Sequence, residues 1–117
     1  VAFQTRDLIE AMRKDWGGSG QAILRIDGGM VANDWAMQAL ADQLAASVDR
    51  PTITETTASG AAYLAGMAAG LCPRPAEFAQ QWILEKRFKP KKSGDHADAL
   101  YAGWQRSVAQ LLYEPDI

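Results

Sequence analysis

The chain has 117 residues, of which 48% are hydrophobic and 22% are charged, a composition typical of one folded domain and not of a disordered or collagen-like segment. Twelve Lys and Arg against fourteen Asp and Glu give a formal charge of -2, which argues against nucleic acid as a partner. The presence of one Cys and one His excludes an internal disulfide and any zinc site that needs two or more ligands of either type.

A first amphipathic helix is predicted at the start of the chain. It is expected to end at Asp15 or Trp16, because Gly17-Gly18-Ser19-Gly20 favours a turn. The next segment, Gln21–Ile26, predicts a buried strand. The first helix has no capping residue before Val1, so we expect the chain to start within a helix of a longer protein. The apolar face of this first helix follows spacings of three and four residues, at Val1, Thr5, Leu8 and Met12.

A turn, a second helix and a second strand follow. Asp27-Gly28-Gly29 predicts the turn, and Asn33 with Asp34 offers an N-cap for a helix that runs to about Ala46. Val48–Ile53 predicts a short strand, in which Pro51 is expected at an end or on an unpaired edge.

A third helix is predicted from Thr56 or Thr57, either of which can cap it, to Gly70. The uncharged stretch around it approaches the length of a membrane span, but Ala and Gly dominate its composition and provide little driving force for insertion. We therefore expect no membrane segment. A helix with such small side chains can approach a neighbour closely, so we expect it to lie flat against the sheet and to be largely buried.

The last part of the chain predicts a short helix, an extended segment and a long helix. Pro75 suits the first turn of the short helix, which runs to Trp82, and Ile83–Pro90 is expected to be extended. A polar loop, Lys91–Asp95, precedes the long helix. The predicted buried seam of that helix consists of Leu100, Trp104, Val108 and Leu111, and Tyr101 and Leu112 are expected to widen it.

Whole helices separate the two predicted strands, which is typical of parallel strands joined by crossover connections and indicates an α/β fold. Parallel sheets are usually covered by helices on both faces and contain more than two strands. The pattern therefore predicts half of a domain.

The turn after the first strand is the best candidate for a binding site. Ligands of open α/β folds bind beyond the carboxyl ends of strands, and glycines there allow the backbone to approach a ligand closely. The following helix adds free N–H groups at its N-terminus. A nucleotide or phosphate site and a plain tight turn remain equally open, since neither a dinucleotide fingerprint nor a P-loop is present.

For the other polar residues, a structural or solvent-exposed role is favoured over a catalytic or binding role. Asp27 is predicted to cap the turn, and the basic stretch Lys86–Lys92 to form a solvated loop surface. His96 is expected to be exposed in a polar loop, and Cys72 to be an inert thiol. No residue indicates a catalytic nucleophile or a metal site within the chain.

The sequence resembles the C-terminal part of the FGGY family of carbohydrate kinases almost from end to end. The motifs favour the branch of the family that phosphorylates glycerol over the xylulose and gluconate branches. The stretches that carry the resemblance are Leu24–Trp35, Asp49-Arg50-Pro51, Thr54–Ala58, Gly60–Gly66, Arg87–Pro90 and Leu100–Trp104.

The resemblance implies a partial ribonuclease H-like (actin-like ATPase) domain, with residues 1–117 forming the C-terminal portion of the kinase's C-terminal domain. It also implies ATP and Mg²⁺ as cofactors, glycerol as phosphate acceptor, a cytoplasmic location, a homo-oligomeric enzyme and a missing N-terminal portion. Another sugar kinase of the family and a non-catalytic interaction module are the alternatives.

Four residues are implied in nucleotide binding. By resemblance, Gly29 and Asn33 contact the adenosine end of the nucleotide, while Gly28 and Met30 shape the wall of the adenine pocket. The family's catalytic aspartate and phosphate-binding loops correspond to sequence upstream of this chain. We therefore assign no catalytic or metal-binding residue here and expect the chain alone to be inactive.

Overall fold

The computed structural model describes residues 1–17 and 23–113. Five α-helices and three strands are present in this part of the chain, with a 3₁₀ turn before the second helix and another after the fourth. In chain order they are α1 Ala2–Trp16, β1 Leu24–Arg25, the 3₁₀ turn Gly29–Ala32, α2 Asp34–Leu44, β2 Val48–Pro51, α3 Thr56–Ala68, α4 Pro75–Phe78, the 3₁₀ turn Ala79–Gln81, β3 Leu84–Phe88 and α5 Gly94–Leu111.

The three strands form one mixed sheet in the order β1-β2-β3. β1 is parallel to β2, with Leu24 opposite Val48, as predicted from the helix that separates them. β3 is antiparallel to β2, with Arg87 opposite Asp49. The prediction that Ile83–Pro90 is extended is confirmed, but the expected sheet of parallel strands lacked this segment, which joins the sheet as an antiparallel third strand.

The core lies between the sheet and α2. The α2 side chains of Met37, Leu40 and Leu44 are buried, and they pack with the residues of β2 and β3. Val48 in the central strand is fully buried because α2 covers it. The buried hydrophobic residues of this cluster are Val31, Met37, Leu40, Ala41, Leu44, Ala46, Val48 and Phe88.

The predicted end of the first helix is confirmed. α1 ends at Trp16, and Gly17 follows it in the left-handed conformation with φ 60°. The predicted strand within Gln21–Ile26 is confirmed at Leu24–Arg25, but it is shorter than predicted and not fully buried, because Arg25 is exposed and Leu24 is half-buried. Gln21 and Ala22 lie outside the described residues.

The prediction for α3 is right about the helix and wrong about its burial. α3 has no buried residue, and Leu64 in its middle is 60% exposed. The Cα radius of gyration of 18.2 Å exceeds the value of about 13 Å that is typical of a compact domain of this length. Of the two glycines of α3, Gly66 has a close neighbour, because a Cβ built on it would collide with Cys72 Sγ, whereas a Cβ on Gly60 would meet no heavy atom within 4 Å.

The predicted seam of the last helix is partly wrong. Tyr101 is buried, as predicted, together with Ala97, whereas Leu100 is 46%, Leu111 is 86% and Leu112 is 75% exposed. The inward face is fixed by polar contacts to α1, because Tyr101 Oη donates a hydrogen bond to the Asp7 carboxylate. Trp104 Nε1 donates to the same carboxylate at 2.9 Å. Among the described helices, none is both long and apolar enough to cross a membrane.

Candidate nucleotide site

The turn after β1, which we call the 28–33 turn, consists of Gly28, the 3₁₀ turn Gly29–Ala32 and Asn33. Gly28 has φ 89° and ψ 172°, a backbone conformation that is essentially restricted to glycine. Its N–H donates a hydrogen bond to the Thr54 carbonyl at 2.9 Å, and its carbonyl accepts from the Val31 N–H at 3.2 Å. The fold itself therefore requires a glycine at position 28.

Gly29 differs from its neighbour. It is exposed, its φ lies outside the left-handed region, and a Cβ built on it would meet no heavy atom within 4 Å. The fold of the described residues therefore does not require glycine at this position. A ligand lying against the backbone would require it, because a side chain would occupy the ligand's place.

Asn33 is the N-cap of α2, as predicted. Its Oδ1 accepts a hydrogen bond from the Ala36 N–H at 3.1 Å, which satisfies one of the free donors at the start of the helix. The cap uses the side-chain oxygen and leaves the two donors of Nδ2 for a ligand. Asn33 is exposed, so those donors can reach a molecule on the surface.

A hydrogen bond connects the start of α3 with the residue that precedes the turn. The Asp27 carboxylate accepts a hydrogen bond from the Thr56 hydroxyl, so Asp27 joins the turn to α3 as a structural group. The prediction that Thr56 or Thr57 caps α3 is wrong, because the N-cap is Glu55 and no side-chain capping bond is made there. The Thr56 hydroxyl instead binds Asp27, the residue that precedes the 28–33 turn.

A cluster of four charged side chains holds the turn. Arg50 donates to the Val31 carbonyl at 2.6 Å, to Asp34 Oδ1 at 2.8 Å and to Glu85 Oε2 at 2.6 Å. Lys86 Nζ lies 2.5 Å from Asp34 Oδ2. The hydrogen bonds from Lys86 and then Arg50 lower the pKa of the Asp34 carboxyl.

Sequence reasoning missed this cluster. Arg50 stands out in the sequence only as part of a family resemblance, and the basic stretch around Lys86 predicts a solvated loop. The structure corrects that interpretation, because Lys86 pairs with Asp34 and Arg87 pairs with Asp49 through two hydrogen bonds of 2.6 and 2.7 Å. The antiparallel pairing of β3 brings these charges together, and no sequence signal identifies that pairing.

Met30 lies apart from the other three predicted site residues. It lines a cleft of about 430 Å³ between α1, α2 and α5, together with Trp35 and, at the start of α5, His96. Gly28, Gly29 and Asn33 do not line this cleft. His96 is exposed as predicted, but it belongs to the first turn of α5 and not to a loop.

No group of three or more His, Cys, Asp or Glu placed to hold a metal ion is found within residues 1–17 and 23–113. The carboxylates beside the turn, Asp34 and Glu85, are occupied by the cations Arg50 and Lys86. The four formal charges of this cluster cancel, so the site is close to neutral.

The comparisons with known proteins identify the class of protein. The sequence profile described as "FGGY family of carbohydrate kinases, C-terminal domain" matches residues 1–69, which include α1, β1, the 28–33 turn, α2, β2 and α3. The chain therefore belongs to the FGGY family of carbohydrate kinases.

Curated relatives within this family are more specific. A glycerol kinase of Cereibacter sphaeroides is 57% identical over 112 residues, which are 96% of this chain and 23% of the relative. A glycerol kinase of Methylobacterium nodulans is 56% identical over 117 residues, which are 98% of this chain and 23% of the relative. The chain thus spans about a quarter of the length of the curated relatives that it matches.

Solved structures of kinases share the fold. The Plasmodium falciparum glycerol kinase with ADP superposes with a TM-score of 0.76 at 24% identity, over 97% of this chain and 22% of that one. A ligand-bound xylulose kinase from Lactobacillus acidophilus has a TM-score of 0.71 at 19% identity, over 92% of this chain and 22% of that one. The expected fold class, part of an actin-like ATPase domain, is confirmed.

Proposed function

We propose that this chain forms the adenosine end of the ATP site in a kinase that transfers a phosphoryl group from Mg-ATP to glycerol. Residues 1–117 are then the C-terminal portion of the kinase's C-terminal domain. The choice of glycerol rests on the curated glycerol kinases that match nearly the whole chain at 53% to 57% identity. The nucleotide is favoured by the family and by the Plasmodium falciparum glycerol kinase, whose crystal structure was solved with ADP.

One observation carries the location of the site. Gly29 is a glycine that the fold does not require, on an exposed turn at the carboxyl end of a parallel strand. Ligands of open α/β sheets bind at such strand ends. Asn33, four residues later, presents its Nδ2 donors at the start of α2. We assign these two residues to the contact with the nucleotide.

The charges around the turn favour the adenosine end over the phosphate end. Asp34 lies in the first turn of α2, where its negative charge interacts with the helix dipole. A polyphosphate placed there would meet a carboxylate before it met the helix N–H groups. Adenine and ribose are neutral, and they suit a cluster whose charges already cancel.

The remaining chemistry belongs to the rest of the kinase. Phosphoryl transfer requires groups that position the phosphates and stabilise their charge, and we place these groups in the N-terminal portion that the curated relatives possess. Mg²⁺ would be held by the phosphates of the bound nucleotide and by that portion. We propose that the chain alone is inactive and that the whole kinase is a cytoplasmic homo-oligomer.

The adjacent residues Gly28 and Met30 have weaker roles in this proposal. Gly28 shapes the pocket by its backbone conformation, which sets the direction of the turn. Met30 would reach the nucleotide only from the side of the cleft between α1, α2 and α5, because it lines that cleft and not the surface of Gly29 and Asn33.

Two substitutions of Asn33 test the nucleotide site in the full-length kinase. Asn33→Asp keeps an oxygen that can cap α2 but removes the amide donors, and Asn33→Ala removes both. We expect each to raise KM for ATP by about tenfold, since one hydrogen bond is lost, with KM for glycerol almost unchanged. Only Asn33→Ala should also lower the free energy of unfolding, by about 1 kcal/mol. If only KM for glycerol rose, Asn33 would not be a nucleotide-binding residue.

The identity of the phosphate acceptor, glycerol, is tested in a separate experiment. The full-length kinase should phosphorylate glycerol with a higher kcat/KM than xylulose or gluconate. A preference for either sugar substrate would assign the chain to another branch of the FGGY family, while leaving the nucleotide site in place.

A further inference from the structure

We infer that Arg50 is a positioning residue for ATP, because it fixes the 28–33 turn on which the nucleotide contacts lie. This inference rests on the proposed function of the turn. Arg50 is placed to act through the backbone carbonyl of Val31, which lies between Gly29 and Asn33 in the sequence.

The Arg50 guanidinium joins three separate elements. It starts from β2 and reaches the Val31 carbonyl in the turn at 2.6 Å, Asp34 in α2 at 2.8 Å and Glu85 in β3 at 2.6 Å. Its side chain is only 11% exposed, whereas those of Asp34 and Glu85 are 53% and 44% exposed. The cation is thus held by its acceptors in a sheltered position and is not a free surface group.

The planar shape of the Arg50 guanidinium allows it to restrain the 28–33 turn. A guanidinium is planar and presents its donors in a fixed fork. Three acceptors therefore determine the orientation of the guanidinium, and the guanidinium restrains the positions of the three acceptors. The turn is a single short 3₁₀ helix, whose ends are closed by backbone hydrogen bonds from the Val31 N–H to the Gly28 carbonyl at 3.2 Å and from the Asn33 N–H to the Met30 carbonyl at 3.1 Å. Among residues 1–17 and 23–113, Arg50 is the side chain that connects this short segment to the sheet by a hydrogen bond.

A purely structural role is the alternative, and the chain contains a matched control for it. Arg87 lies in the adjacent strand β3 and makes two hydrogen bonds to Asp49 in β2, at 2.6 and 2.7 Å. It therefore also links β2 with β3 through an ion pair. Arg87 has no hydrogen bond to the 28–33 turn within the described part of the chain. Loss of either arginine removes an ion pair between β2 and β3, but only loss of Arg50 also removes a contact to the turn and to Asp34 in α2.

The test compares Arg50→Met with Arg87→Met in the full-length kinase. We expect Arg50→Met to raise KM and the dissociation constant for ATP by about tenfold, with kcat and KM for glycerol within about twofold of the wild type. Hydrogen exchange at the Val31 and Asn33 amides should become faster. Arg87→Met should leave ATP affinity and these two amides unchanged. If Arg50→Met fails to fold, Arg50→Lys provides the same comparison, since a lysine cannot reproduce the fork.

The outcomes separate the two proposals. Two outcomes would overturn the inference about Arg50 alone. The first is an equal effect of the two arginine variants on ATP affinity. The second is normal ATP affinity in an Arg50 variant when Asn33→Asp is impaired. Normal ATP affinity in the Asn33→Asp and Arg50 variants together would overturn the nucleotide site itself. Weak ATP binding in both, with normal binding in Arg87→Met, supports both proposals.

Discussion

Two regions of the molecule differ in how their side chains are used. The packed region consists of α1, α2, α5 and the three strands, and it contains the buried hydrophobic core. The bare region consists of α3, α4 and the 3₁₀ turn Ala79–Gln81, none of which has a buried residue or, unlike α1, a partly buried one packed against the core. Both regions are rich in apolar residues, so composition alone does not determine burial. The difference lies in whether another element covers the apolar face.

Polar contacts distinguish the packed region further. Asp42 is buried in α2, where it accepts hydrogen bonds from the Lys91 N–H at 2.7 Å and from Gln38 Nε2 at 3.0 Å. Asp7 in α1 binds two aromatic side chains of α5, Tyr101 and Trp104. Buried and bridging carboxylates of this kind stabilise a fold only when their partners are fixed. Asp7 and Asp42 therefore connect elements and loops of the packed region to one another.

The largest expected effect compares two leucines. Leu40→Ala in α2 should lower the free energy of unfolding by about 2 to 5 kcal/mol, because Leu40 is 5% exposed and its removal leaves a cavity in the core. Leu64→Ala in α3 should change it by about 0.5 kcal/mol or less, because Leu64 is 60% exposed. Urea denaturation of the 117-residue chain measures both. Equal losses would indicate that α3 is packed in solution and would remove the distinction between the regions.

An intermediate effect concerns the contact between α1 and α5. The hydrogen bond to the Asp7 carboxylate, followed by burial of the ring, raises the pKa of Tyr101 to about 12. A tyrosine whose pKa is higher in the folded state stabilises the fold below its unfolded pKa of about 10, and this stabilisation is lost as the pH rises from about 10 to about 12. Tyr101→Phe should lower the free energy of unfolding at pH 7 by about 1 to 2 kcal/mol.

The pH dependence provides the control. The difference between the wild type and Tyr101→Phe should shrink as the pH rises through 10 towards 12, when Tm is measured at each pH. Tyr63 in α3 donates to the neutral carbonyl of Pro73 at 3.0 Å, so Tyr63→Phe should show a smaller change over the same range. A constant difference for Tyr101→Phe at all pH values would contradict the contact with Asp7.

The smallest expected effect concerns self-association. The 117-residue chain should associate at high concentration through the bare region, because exposed apolar patches favour contact with other molecules. Leu64→Lys should weaken this association by about tenfold. Leu8→Lys is the control, since Leu8 is 59% exposed but lies in α1 of the packed region. A clean monomer by light scattering, or an equal effect of the two variants, would contradict the assignment.

Local signals in the sequence are sufficient for much of the fold. The end of α1 at Trp16, the capping of α2 by Asn33 and the start of α4 at Pro75 are each determined by a residue type with one strong preference. The position of the 28–33 turn is also predictable, because a glycine pair between a strand and a helix has few other uses.

Features that depend on distant residues could not be predicted in this way. The antiparallel β3 and the charge cluster that it completes around Arg50 require knowledge of which strands meet. Tyr101 is predicted as part of the buried face of α5, but the exposure of Leu100 beside it is not, because the contact that orients the helix is made to Asp7, which is 94 residues away from Tyr101 in the chain. The small residues of α3 correctly predict a helix, but the element that would cover it is not among the described residues.

The site residues remain predictions, and Gly29 offers the most direct test of them. Gly29→Ala should leave the free energy of unfolding within about 0.5 kcal/mol of the wild type, because the added Cβ meets open space and ordinary backbone angles. Gly28→Ala is unsuitable, since φ 89° strains any other residue by about 1 to 3 kcal/mol.

The decisive measurement is the dissociation constant of ATP for the full-length kinase with Gly29→Ala, obtained by calorimetric titration. We predict that it rises by about tenfold or more, while Tm and KM for glycerol stay at the wild-type values. Unchanged ATP affinity in this folded variant would contradict a nucleotide lying against the 28–33 turn.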